Sequence, residues 1–153
     1  MRLLGAMLLS LMMLAAAVRA EDKKETDAPV RYGVVADLKS YPQGSPKETF
    51  GSVLKTIEAG RIDYLLAQLT DPAFVDERVK RLFGGKFDQQ VAETKAKLDP
   101  PTVKQLHRFH DKGAWSEENA KAAVSLNDVP ERVVNLKKIG PRWYLENHNR
   151  PVK

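Results

Sequence analysis

Two histidines three residues apart, followed at once by an aspartate, are the residues of this chain best suited to chemistry. They are His107, His110 and Asp111, in "HRFHD". On a helix, positions three apart share a face, and imidazole is both a common metal ligand and a proton carrier. A zinc site, however, needs three or four ligands. The metalloprotease spacing sets its histidines four apart around a glutamate, and this stretch has neither feature. Histidines near a helix C-terminus also have a plain role, because their cationic form meets the negative end of the helix dipole. No metal site is expected, and His107 and His110 stand only as candidate pocket groups.

A second cluster lies in "DYLLAQLTD", which offers Asp63, Tyr64 and Asp71. An Asp–Tyr pair does acid–base work when it is buried in a pocket. The plainer reading makes Asp63 a helix cap, Asp71 a turn residue before Pro72, and Tyr64 the edge of a core or the wall of a cavity. The two tryptophans are Trp115 in "KGAWSEEN" and Trp143 in "RWYLEN". Indole area is spent mostly on packing, and each is also a candidate pocket wall. "GGKF" around Gly84 and Gly85 is no phosphate loop, since it lacks the Gly-Lys-Ser/Thr ending. No serine sits in a glycine elbow. Spacing therefore assigns no catalytic residue and implies no cofactor.

The elements that must hold these residues follow from the pattern. Arg2, an apolar run over 3–18 and the ending "VRA" read as a secretory signal peptide over 1–20, cleaved after Ala20. The competing reading is an uncleaved membrane anchor, against which the run falls short of the roughly 20 apolar residues of a span and "EDKKETD" follows it directly; no transmembrane segment is expected after cleavage. The location implied is secreted or periplasmic. The chain carries 25 Lys and Arg against 20 Asp and Glu. Without Arg2 and Arg19 the balance is 23 against 20, a small surplus. The charges alternate in sign, as in "AETKAKLD", which argues for a solvated mixed surface and against a nucleic-acid face. Cysteine is absent, so an exported domain of this kind must rely on its hydrophobic core.

Residues 21–44 read as a mostly disordered leader, with Val30, Tyr32, Val34 and Val35 as either a short strand or a surface segment. From residue 45 to 150 a single α+β domain is expected. "SPKE" is a capping box with proline at the first helical position, and Phe50, Val53, Leu54 and Ile57 follow at helical spacing. Gly60 stops that helix, and helical stretches follow through "RIDYLLAQL", "PAFVDERVKRLF", "KFDQQVAETKAKL" and "PTVKQLHRFH". "NAKAAVSL", "ERVVNLKKI" and "RWYLEN" then read as three antiparallel strands. In the last, alternation puts Trp143 and Leu145 under the helices and Arg142, Tyr144 and Glu146 on the opposite face.

The stretches "SPKETFGSVLKTIEAGRIDYLLAQLTDP" and "RVVNLKKIGPRWYLEN" resemble the nuclear-transport-factor-2-like superfamily, and also small exported bacterial proteins without an assigned activity. The resemblance implies helices packed on a curved antiparallel sheet in a cystatin-like cone. It implies a cavity inside the cone and, in the enzymes of that superfamily, an Asp, His or Tyr within it. No catalytic motif carries over residue by residue, and the helical stretch from Val79 to His110 is longer than a simple cone requires. The leading expectation is an exported non-catalytic domain that binds a small apolar ligand or an envelope protein. The alternative is a cone-fold enzyme of isomerase, dehydratase or hydrolase type, drawing on Tyr64, His107 and His110. A third reading makes Lys137, Lys138, Arg142 and Arg150 a surface for acidic polymers.

Overall fold

A computed structural model of the chain describes residues 28–147. The expected signal peptide, most of the charged leader and Arg150 lie outside the described residues. The architecture is α+β: five helices pack on a four-stranded antiparallel sheet, and a small hairpin of β1 (Val30–Arg31) and β2 (Val34–Val35) precedes them.

Helix starts follow local chemistry. Ser45 Oγ accepts from Glu48 N at 3.2 Å, and Pro46 opens α1 (Pro46–Glu58). Asp71 caps α3 (Pro72–Leu82), and Asp99 caps α5 (Pro100–Lys112), each followed by proline. A capping oxygen satisfies a backbone N–H with no partner inside the helix, and proline has no such N–H to satisfy. The short α2 (Ile62–Tyr64) departs from expectation. Its N-cap is Arg61, and Asp63 pairs with the Arg61 guanidinium at 2.9 Å instead of capping. The chain then makes a π turn over Leu65–Leu69, all five residues buried. The α4 helix (Phe87–Lys97) completes the set.

The sheet has four strands in the order β3 (Ala114–Glu118), β4 (Lys121–Ser125), β5 (Val133–Ile139) and β6 (Arg142–Glu146). Three were expected; the addition is β3, an edge strand that carries Trp115. Asn119 and Ala120, both at positive φ, turn β3 into β4. Between β5 and β6, Gly140 supplies the positive φ and Pro141 the fixed negative one. Register puts Trp115, Val124 and Val134 on one face with Ala122, Leu136, Leu145 and Trp143. That face meets Phe50, Val53, Leu65, Leu66, Leu69 and Phe109 of the helical layer. Each large apolar side chain fully buried there contributes about 2 kcal/mol.

Helix and sheet come into close contact at Gly113, between α5 and β3. Its φ of −71° is open to any residue, so conformation does not require glycine here. Space does: a Cβ would stand 2.2 Å from Val124 Cγ2 and 2.4 Å from the Phe109 carbonyl oxygen.

The segment read as mostly disordered is ordered from residue 28 onward. Val30–Arg31 and Val34–Val35 form a hairpin, the strand alternative for this stretch. Asp76 of α3 anchors it, accepting from Arg31 at 2.5 Å and from the Tyr32 hydroxyl at 2.6 Å. The Tyr32 ring stacks on Phe87 at 4.1 Å. Burial, reinforced by Asp76, pushes the Tyr32 hydroxyl up to about 12, so it keeps its proton at ordinary pH. Burial alone would raise Asp76. The hydrogen bonds from Arg31 and Tyr32 outweigh it and hold the carboxyl below its usual range.

Further along the same segment, Gln43 is buried against β6. Trp143 N donates to Gln43 O at 3.0 Å, and Gln43 Nε2 donates to Trp143 O at 2.7 Å. One residue thus closes part of the sheet edge. Gln43 Oε1 also accepts from Arg142 Nε at 3.0 Å and from Arg142 Nη2. Gln68 of the π turn joins them, its backbone oxygen accepting from Gln43 Nε2 at 3.1 Å and from Arg142 Nη2 at 3.2 Å. Arg142 and Tyr144 do lie on the face opposite Trp143, but both are buried there, beneath this junction.

Two outcomes are expected in chemical denaturation. Gly113→Ala overpacks the helix–sheet contact and costs about 3 kcal/mol. Gln43→Leu leaves Arg142 and the Trp143 carbonyl short of partners and costs about 3 kcal/mol, while adding Arg142→Met to it restores part of the loss.

Candidate functional site

A hollow of about 700 Å³ lies between the helical layer and the end of β6. This is within the range of small-molecule sites, roughly 300–1,000 Å³. One wall is Phe50, Val53 and Ile57, successive inward positions of α1. Leu65, Leu66 and Thr70 come from the π turn and the residue after it. Phe74 and Arg78 of α3 face Gln90, Thr94 and Lys97 of α4, and Leu106 of α5 and Leu145 of β6 close the ring.

The π turn explains how one short segment serves two sites. It ends the helical run at Thr70, so its last backbone carbonyls have no donor within the helix. Ala67 O accepts from Arg31 Nε at 3.0 Å, and Gln68 O serves Gln43 and Arg142. Thr70 Oγ1 donates back to Leu65 O at 2.9 Å. Leu65 and Leu66 thereby line the cavity while Ala67 and Gln68 bind the hairpin and the last strand.

Gln90 is the unusual member of the lining. Only 2% of it is exposed, and its Oε1 has no hydrogen-bond partner. A buried amide oxygen left unpaired costs about 1–3 kcal/mol. The remaining polar walls are Thr70, Thr94, Thr102 and Asn147, with Arg78 and Lys97 as the ionic ones. The lining includes no Asp, Glu, His or Tyr.

None of the five pocket residues expected from sequence lines this cavity. Tyr64 is buried elsewhere: its hydroxyl accepts from Asp37 N at 2.8 Å, and its ring packs on Tyr41 at 4.4 Å. Burial raises its pKa. His107 pairs with Glu58 at 2.9 Å and borders an open groove with Ile57 and Leu98. His110 pairs with Asp111 at 2.8 Å and meets Phe50 edge-on at 5.9 Å. That bond from His110 holds the Asp111 carboxyl below its usual range. No group of three metal-ligating side chains occurs among the described residues. Trp115 packs edge-on against Phe50 at 6.1 Å and borders a shallow hollow with Ser45, Pro46 and Lys47. Its Nε1 is buried without a partner. Trp143 is a core residue at 3% exposure.

Of the basic residues near the hairpin, two are engaged, Lys138 is exposed, and Arg150 lies outside the described residues. Lys137 Nζ sits 2.5 Å from the buried carboxylate of Asp71, and Arg142 is engaged by Gln43 and Gln68. Among the described residues, no helix is long and apolar enough to cross a membrane.

Sequence reasoning missed Gln90, Thr94 and Lys97. They recur at helical spacing with Phe87, but polar residues on a charged helix read as its solvent face. Gln90→Met, which removes the unpaired amide and keeps the volume, is expected to raise the stability of the ligand-free protein by about 1 kcal/mol in urea titrations.

No family model, curated protein or solved structure matches this chain, and the cavity is therefore read from its own geometry.

Proposed function

We propose that this chain is an exported, non-catalytic domain that binds a small, largely apolar ligand in the cavity beside Gln90. The observation that carries the reading is a hollow of about 700 Å³, apolar over most of its wall, holding one buried amide without a partner. Apolar walls supply affinity, and a few placed polar groups supply orientation. An unpaired amide that costs stability in the empty protein is recovered when a ligand pairs with it.

The neutral and cationic lining favours binding over acid–base work, because its described residues include no carboxylate, imidazole or phenol. Export is proposed from the sequence over 1–20, with its charged start, apolar run and Val18–Ala20 ending. The order of a capped helix, further helices and a terminal antiparallel meander supports the likeness to the nuclear-transport-factor-2-like superfamily. Under that likeness, α4 and α5 are additions that wall the hollow.

The test is a neutral apolar dye, Nile red, titrated into the purified protein with Leu106→Trp as the cavity-filling variant. One dye per chain is expected, with affinity reduced about tenfold or more in the variant, equivalent to about 1.4 kcal/mol. Unchanged dye affinity in a variant that keeps its circular dichroism spectrum would refute the assignment.

A further inference from the structure

The wall of the cavity carries an excess of positive charge where it meets solvent. Arg78 and Lys97 both line the hollow. Their side chains retain 30% and 67% exposure, which marks its mouth, whereas Gln90 at 2% marks its interior. Among the described residues the two cations share one carboxylate, Glu93, which lies 3.6 Å from Arg78 Nη2 and in closer contact with Lys97 Nζ. One carboxylate against two cations leaves a net positive rim. The Arg78 guanidinium also lies over the Phe74 ring at 5.6 Å, so it is held at the boundary between apolar wall and water.

Lys97 and Gln90 are seven residues apart on one helix, two turns, or about 10 Å along its axis. The cavity therefore offers a cationic end and, about 10 Å away, a buried amide whose oxygen has no partner, with Thr94 between them on the helix and apolar side chains on the facing walls. Rotating the Gln90 amide by half a turn exchanges its oxygen for its N–H donors, so it serves either a hydroxyl or a carbonyl.

Resting on the apolar-ligand reading above, we propose that the ligand is a carboxylate-headed amphiphile with one oxygen function further along its apolar body. The carboxylate sits beside Arg78 and Lys97 as a second anion alongside Glu93, balancing the remaining positive charge. The second oxygen pairs with Gln90. The body packs on Phe50, Leu66 and Leu106.

Calorimetric titration of the purified protein with ω-hydroxydecanoate, decanoate and decanol tests this. Decanoate is expected to bind about tenfold more tightly than decanol, and ω-hydroxydecanoate several-fold more tightly again, in keeping with one charge-assisted and one neutral hydrogen bond. Arg78→Met with Lys97→Met should erase the preference for the carboxylate, while Arg78→Lys, which keeps the charge, retains it. Gln90→Leu should erase only the preference for the hydroxyl. Decanol binding as tightly as decanoate overturns the anionic head and leaves the apolar-ligand reading standing. An equal affinity for decanoate and its hydroxylated form overturns the role of Gln90. Failure of all three probes and of Nile red overturns both readings.

Discussion

Arg142 is nine-tenths buried, and its described acceptors are all neutral: the Gln43 side chain, the Gln68 backbone oxygen and the Gln68 side-chain oxygen. Burying a charge is expensive unless every donor finds a partner. This constraint fixes three parts of the chain at once. The segment before α1 must bring Gln43 to the edge of β6. The second helical stretch must end at Thr70, so that the Gln68 carbonyl in its last turn is available. The last strand must end in register, because Lys137 of β5 reaches Asp71 only when it lies opposite Tyr144. Asp71 in turn caps α3 and donates its N–H to Leu145 O at 2.9 Å. The arginine thus acts as a keystone between hairpin, π turn and sheet.

The cavity follows from the same geometry. The π turn is held from outside by Gln43, Arg31 and Arg142, so its leucines are presented inward without being packed flush against α4. On the facing helix, Phe87, Val91 and Leu98 take the apolar contacts. Gln90, Thr94 and Lys97 are left to line the gap. A sequence selected only for stability would fill that gap with larger aliphatic residues, because an unpaired buried amide and an unfilled volume both cost free energy. Retaining them is the kind of local inconsistency that marks functional sites.

Much of the fold was legible because its signals are local. Ser45-Pro46, Asp71-Pro72 and Asp99-Pro100 announce helix starts within a few residues, and β-branched runs announce β5 and β6. The burial of Trp143 followed from strand alternation. β3 was not legible, because only Trp115 of its five residues turns inward and its glutamates belong to an edge. The ordering of residues 28–44 was not legible either. Its causes are contacts such as Gln43 with Arg142, 99 positions apart, and polar side chains give no periodic sign of a distant partner. The cavity lining failed for a related reason. Histidines and aromatics attract notice by their chemistry, yet the candidates here are committed to packing and to contacts with carboxylates, while the buried polar group without a partner is an ordinary glutamine on a charged helix.

The core is built wholly from carbon, nitrogen and oxygen side chains. All four methionines fall within the first 13 residues and cysteine is absent, so no sulfur atom occurs beyond Met13. Methionine sulfoxide and sulfenic acid, the ordinary first lesions of oxidative damage, have no site in the helices or the sheet. The packing of the described residues is therefore independent of thiol–disulfide exchange and of methionine oxidation.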